Sequence, residues 1–157
     1  MTERTERSEG HEGMPNQLGM TERTDAGIVD AARALSAAFA ARDLAAALDC
    51  FVADDDIGYI GSEHAESAAG RAAVARLLAA VFDRGEAYSW RVTHATVREY
   101  GEFAYLFAEA DGLVHGDDGL TPFPYRISGL VQRVGDRWLW RHCHGCEPAA
   151  DALPDKR

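Results

Sequence analysis

Basic side chains are scarce in this sequence: 16 lysines and arginines stand against 26 aspartates and glutamates, giving a formal net charge of −10 and an isoelectric point near 4.9. No basic stripe is present to neutralise phosphates, which disfavours nucleic acid as a partner. Long apolar runs are missing too. Nothing approaches the roughly 20 residues of a membrane span, and the opening MTERTERSEG lacks the apolar centre of a signal peptide. A cytoplasmic protein without membrane contact is expected. Cysteine is limited to Cys50, Cys143 and Cys146. An odd number argues against a secreted disulfide framework and predicts reduced thiols. At 157 residues the chain suffices for one domain that buries a core without a structural metal.

Residues 1–24 hold Glu, Arg, Thr, Ser and Gly but hardly a side chain to bury, and are read as a disordered extension. MTERT occurs at 1–5 and again at 20–24. Either Met20 is the natural start or a biased tail has repeated by chance. Residues 150–157 read as a flexible tail, which leaves 25–149 as the folded domain.

Within it, Ile28, Ala32, Leu35 and Phe39 follow helical spacing, ARDL interrupts, and Leu44, Ala47, Leu48 and Phe51 resume the pattern. Asp43 is placed to cap the second helix. DIGYIG reads as a short strand, GSEHAESAAG as a loop, and Arg71 to Phe82 as a third helix. The remainder is strand. YSWRVTHATVREY alternates, with Tyr88, Trp90, Val92, His94 and Thr96 on one face; FAYLFAEADG, PYRISGLVQRV and RWLWRHCH follow, joined mostly by hairpins. The predicted class is α+β, with three N-terminal helices packed on a bent, mostly antiparallel sheet.

This order and four local motifs resemble the SnoaL-like branch of the nuclear transport factor two-like, cone-shaped superfamily, from about Ile28 to Pro148. The motifs are FAARDLAAALDCF; IGSEHAESAAGRAAV, whose Gly61, Glu66 and Gly70 keep the family's G-x4-E-x3-G spacing; Arg126 in YRISGLV; and RWLWRHCHGCEP. The last is similar to the family ending W-x3-H-x-H-x-S-x-P, which Trp138, His142, His144 and Pro148 match, with Cys146 in place of serine. The resemblance implies a strongly curved cone, often a homodimer, in a fold that hosts isomerases, cyclases, dehydratases and non-catalytic assembly domains. Steroid isomerases of the superfamily carry an Asp base in the first strand and a Tyr on the first helix. DIGYIG and LSAAFA hold neither, so that chemistry is not expected.

Four His and Cys side chains crowd into HCHGC. In a regular strand His142 and His144 share a face ~7 Å apart while Cys143 points away, so the four cannot converge, and no metal is expected. One imidazole lining the cavity would move protons near neutral pH; the plainer role is a hydrogen-bonded sheet histidine. The SnoaL-type cyclases use an aspartate near the terminal strand, and by analogy His144 or His142 is the expected base. Glu109 is in phase with Phe103, Tyr105 and Phe107, so a pair with Arg126 on the neighbouring strand is expected, either structural or catalytic. Glu66 either caps the third helix or reaches the cavity mouth. Tyr59, Trp90 and Tyr105 are further expected ligand contacts.

The expected function is cofactor-free acid/base catalysis on a hydrophobic small molecule, with His144, His142 and Arg126 as catalytic groups and Tyr59, Glu109, Trp90, Tyr105 and Glu66 as substrate contacts. The rival is a ligand-binding or oligomerisation module, because HCHGCEP also resembles the association domain of calcium/calmodulin-dependent kinase.

Overall fold

The computed structural model describes residues 18–149. Helices α1 (Leu18–Ala41) and α2 (Leu44–Asp49) lead into strands β1 (Gly58–Ile60) and β2 (Ser67–Ala69), helix α3 (Arg71–Phe82), and strands β3 (Ala87–Tyr100), β4 (Phe103–Gly116), β5 (Gly119–Val134) and β6 (Arg137–Cys146). They form one six-stranded sheet in the order β2-β1-β6-β5-β4-β3. All neighbours are antiparallel except β1 and β6. Helix α1 begins at Leu18, so 18–24, expected to be disordered, belong to it; the expectations for 1–17 and 150–157 lie outside the described residues. Ser67–Ala69, read as loop, pairs as β2.

The chain breaks between α1 and α2 where expected. Arg42 takes a left-handed conformation (φ 51°) and the Asp43 carboxylate accepts from Ala46 N at 3.0 Å. Two indoles then seat α1 on the sheet. Trp140 Nε1 donates to the Ala31 carbonyl at 3.1 Å and Trp90 Nε1 to that of Ala32 at 3.2 Å, while Ser36 Oγ bonds both backbone groups of Trp90 at 2.8 Å. The core lies between these helices and one sheet face: Ile28, Leu35, Phe51, Leu78, Leu106, Ile127 and Trp140 are almost wholly enclosed.

Two bulges decide which side chains join it. In β3 the register shifts between Val92 and His94. Thr93 is the extra residue, and its Oγ1 donates to the Glu109 carbonyl at 3.1 Å. Beyond it Ala95 and Val97 pack on the core, so His94 and Thr96 leave the face they were expected to share with Trp90. In β6, Leu130 pairs with His142 but Val131 pairs with Trp140, which leaves Arg141 as the extra residue. Trp138 and Trp140 point inward before the bulge and Cys143 and Gly145 after it. The driving force is burial: an enclosed thiol loses little solvation, whereas two enclosed imidazoles would need partners. Gly129 makes the close approach possible. It sits opposite Cys143 at φ 152°, and a Cβ there would lie 1.9 Å from the His142 carbonyl oxygen.

Candidate active site

The inner sheet face and the helices enclose a cavity of about 400 Å³. Phe39 from α1, Val81 from α3, Trp90 from β3 and Phe123 and Tyr125 from β5 supply its walls, and Tyr59 from β1 reaches in beside them. The rings interlock: Trp90 lies 5.1 Å from Phe39 and 5.2 Å from Tyr125, and Phe123 meets Tyr125 edge-on at 5.7 Å. The polar groups come from the loop after β1 (Ser62, Glu63, Glu66), from Arg84 after α3, from Tyr88, and from Glu147 just past β6.

Glu66 is 7% exposed, a rare burial for a carboxylate. Its partners explain it: Arg84 lies 3.1 Å from Oε1, and Glu63 N donates to Oε2 at 3.3 Å. The same guanidinium grips Glu63 through two bonds of 3.0 and 3.2 Å. The G-x4-E-x3-G spacing thereby acquires a cause. A Cβ on Gly61 would fall 2.1 Å from Glu66 Oε2, so only glycine leaves room for the inward carboxylate. Gly61 N donates to the Glu66 carbonyl at 2.8 Å and closes the loop, and Gly70 (φ 87°) turns the chain into α3. Asp55, not Glu66, caps α3, accepting from Arg71 N at 2.8 Å. Asp54, in the same acidic turn, is paired with the bulged Arg141.

Tyr59 and Tyr125 are each more than nine-tenths buried and both line the cavity. Burial drives both well above the usual phenol range, and the charge of Glu66 adds to the effect on each. Both stay protonated and can donate. Tyr125 holds its position because Gly145 has no side chain: a Cβ there would lie 1.7 Å from the Tyr125 hydroxyl.

Of the expected site residues, the structure brings Tyr59, Glu66 and Trp90 together in the cavity. Five others are corrected. His142, His144, Arg126, Glu109 and Tyr105 all lie on the outer sheet face, away from the cavity. The Arg141 bulge turned the two histidines out. His142 opens to solvent on one side, and the desolvation of the rest of its imidazole, with the neighbouring His144, holds it below the usual histidine range. Glu109 and Arg126 do face each other in register, but both are exposed and form no ion pair among the described residues. Tyr105 is 43% exposed. The phase of β4 is set by its small residues: Ala104, Leu106, Ala108 and Ala110 face the helices, and the larger Phe103, Tyr105 and Phe107 face out. Arg84, Glu63 and Glu147 were not anticipated. Arg84 follows the last turn of α3, where the sequence offers only a cation beside a stop glycine.

The profile of the SnoaL-like domain matches residues 28–150. The chain belongs to the SnoaL-like family. Solved structures agree on the fold. A candidate dehydratase of the NTF2-like family from Streptomyces avermitilis superposes with TM-score 0.70 at 18% identity, over 82% of this chain and 99% of that one. A ketosteroid isomerase-like protein from Erwinia carotovora atroseptica gives 0.63 at 19% identity, over 79% and 95%. A candidate calcium/calmodulin-dependent protein kinase type II association domain from Thiobacillus denitrificans gives 0.61 at 23%, over 76% and 93%. No curated protein matches. This SnoaL-like chain thus has the cone-shaped α+β fold expected from its motifs, and among the described residues no helix is long and apolar enough to cross a membrane. Nor do those residues contain a cluster of three His, Cys, Asp or Glu side chains arranged for a metal.

Proposed function

We propose that this SnoaL-like domain is a cofactor-free acid/base enzyme acting on a hydrophobic small molecule, in an isomerisation, cyclisation or dehydration. The observation that carries the proposal is the buried Glu66 carboxylate beside a phenol pair in an aromatic cavity. In this reading Glu66 takes a proton from an acidic C–H. Tyr59 and Tyr125 donate to the oxygen on which negative charge develops, in surroundings where water does not screen the bond. Arg84 and Glu63 N hold the carboxylate in place.

General base catalysis contributes about 10²–10⁴-fold, which sets the size of the test. Exchange of the α-protons of 2-tetralone in D2O, followed by NMR, should run faster with the protein than in buffer. Glu66→Gln should remove about 10²-fold or more of that gain, and Tyr59→Phe with Tyr125→Phe a comparable share. Exchange at the wild-type rate in all these variants would refute the assignment.

One observation favours a second reading, an assembly or ligand-binding module. The outer sheet face displays Ile60, Tyr105 and Leu130, 37–43% exposed, beside half-buried Phe103 and Phe107. A homodimer built on that face is compatible with either reading. Light scattering on the protein and on Tyr105→Glu measures it, and a ring of many subunits would favour the assembly module.

A further inference from the structure

The charge of the cavity lining is one-sided. Glu63, Glu66 and Glu147 stand against Arg84 alone, an excess of two negative charges, and no lysine or histidine lines the space. Arg84 is already spent: it bonds both oxygens of Glu63 and one of Glu66. Glu147 fixes its backbone to the loop through a 3.2 Å bond from its N–H to Ser62 Oγ, but its carboxylate has no cationic partner among the described residues. Around these charges the walls are aromatic, with Phe39, Trp90, Phe123 and Tyr125 among the lining, and aromatic surroundings suit a cation better than an anion. Deeper in, Tyr59 and Tyr125, each more than nine-tenths buried, line the cavity, and a phenol hydroxyl there can donate to a ligand oxygen.

We infer that the ligand of this cavity is a flat, apolar molecule bearing a protonated or quaternary amine, its cationic end at the Glu63–Glu147 rim and an oxygen acceptor at the Tyr59–Tyr125 end. The inference deepens the proposed function and rests on its assignment of the cavity as a small-molecule site. The carboxylates act as specificity determinants: they admit cations, tolerate neutral molecules and exclude anions.

Three probes on one ring system test it: 2-naphthylmethylammonium, 2-naphthylmethanol and 2-naphthoate, titrated against the full chain by quenching of tryptophan fluorescence and by calorimetry. The cation should bind about tenfold tighter than the alcohol, the size expected for a cation over partly desolvated rings beside a carboxylate, and the carboxylate should not bind. Added salt should weaken only the cation, and Glu147→Gln, a change at an exposed residue that leaves the core alone, should narrow the gap between cation and alcohol severalfold. Equal affinity for cation and alcohol, tighter binding of 2-naphthoate, or no effect of Glu147→Gln would overturn the inference. The 2-tetralone exchange on the same preparations separates the two ideas. Exchange without charge preference defeats the ligand class and leaves the acid/base assignment standing, and charge preference without exchange does the reverse. Binding of none of the three probes defeats the ligand class, and if 2-tetralone does not exchange either, the acid/base assignment falls with it.

Discussion

At the level of single residues, legibility depended on whether a side chain's reason for its position lay nearby in sequence. Glu66 was legible because its place between Gly61 and Gly70 resembles the spacing of the SnoaL-like family, and the structure shows what the first glycine is for: space for the carboxylate. Arg84 was not legible. Its significance comes from Glu63 and Glu66, about twenty residues upstream and joined to it only by the return of α3. The cysteines show the same division. Nothing local says that Cys143 is enclosed while Cys146, three residues on, is half-exposed. Burial pushes the Cys50 thiol up to about 11 and that of Cys143 further still. Since the thiolate is the reactive form, a thiol-disulfide reagent at pH 8 should titrate one group in the native protein, Cys146, and three after denaturation. Fast reaction of a second thiol would contradict the enclosed placement of Cys50 or of Cys143, and Cys50→Ala tells which.

At the level of elements, periodicity found every helix and the four long strands, yet misplaced inward-facing side chains in all four: bulges exchange the faces within β3 and β6, while Tyr105 and Glu109 of β4 and Arg126 of β5 belong to the outer face of strands that alternate regularly. Alternation assumes an unbroken strand, and one extra residue exchanges the faces. Trp138 and Trp140 do point inward as the alternation requires, and the continuation to His142 and His144 fails only because Arg141 is bulged. A signal was present on the partner strand: Gly129 interrupts YRISGLV, and a glycine inside a strand commonly marks a bulge. The bulge gains a further hold from the side chain it ejects, since Arg141 donates to Gln132 Oε1 at 2.8 Å and to the Asp56 carbonyl at 3.0 Å and pairs with Asp54. Gly129→Ala should therefore destabilise well beyond the ordinary cost of an alanine, by about 2–4 kcal/mol, because the new methyl meets backbone and not a movable side chain. Urea denaturation measures this. Gly101→Ala, also at positive φ (67°) but with open space around its Cβ, isolates the backbone strain and should cost only about 1 kcal/mol. Equal losses at the two sites would show that the approach of β5 to β6 is not close. Trp140→Phe tests the seating of α1: it loses the bond to Ala31 and leaves a void at a fully enclosed position, for an expected loss of about 2–3 kcal/mol.

Across the whole molecule, the helices, the sheet and the cavity share one interior, and that interior holds four weak acids in their neutral forms: Tyr59, Tyr125, Cys50 and Cys143. In each, burial is the largest cause and the folded-state pKa lies above the unfolded one. The unfolded chain therefore releases these protons first as pH rises. Their contribution to stability is fully present below the unfolded values, near pH 9 for the thiols and near 10 for the phenols, and is lost above them as pH climbs toward the folded values. Each group that ionises only on unfolding removes about 1.4 kcal/mol per pH unit, so the loss steepens as the phenols join the thiols. Melting temperature should be nearly flat from pH 7 to 8.5, fall through pH 9–10, and drop most sharply above 10. The Cys50→Ala, Cys143→Ala double variant should start lower because it loses packing, but should decline less between pH 9 and 10. A decline of the same steepness in the variant would place its source elsewhere in the acidic chain. A flat melting temperature to pH 10.5 would mean that the four groups reach water in the folded state, and with them the floor of the cavity in which Tyr59 and Tyr125 are proposed to act.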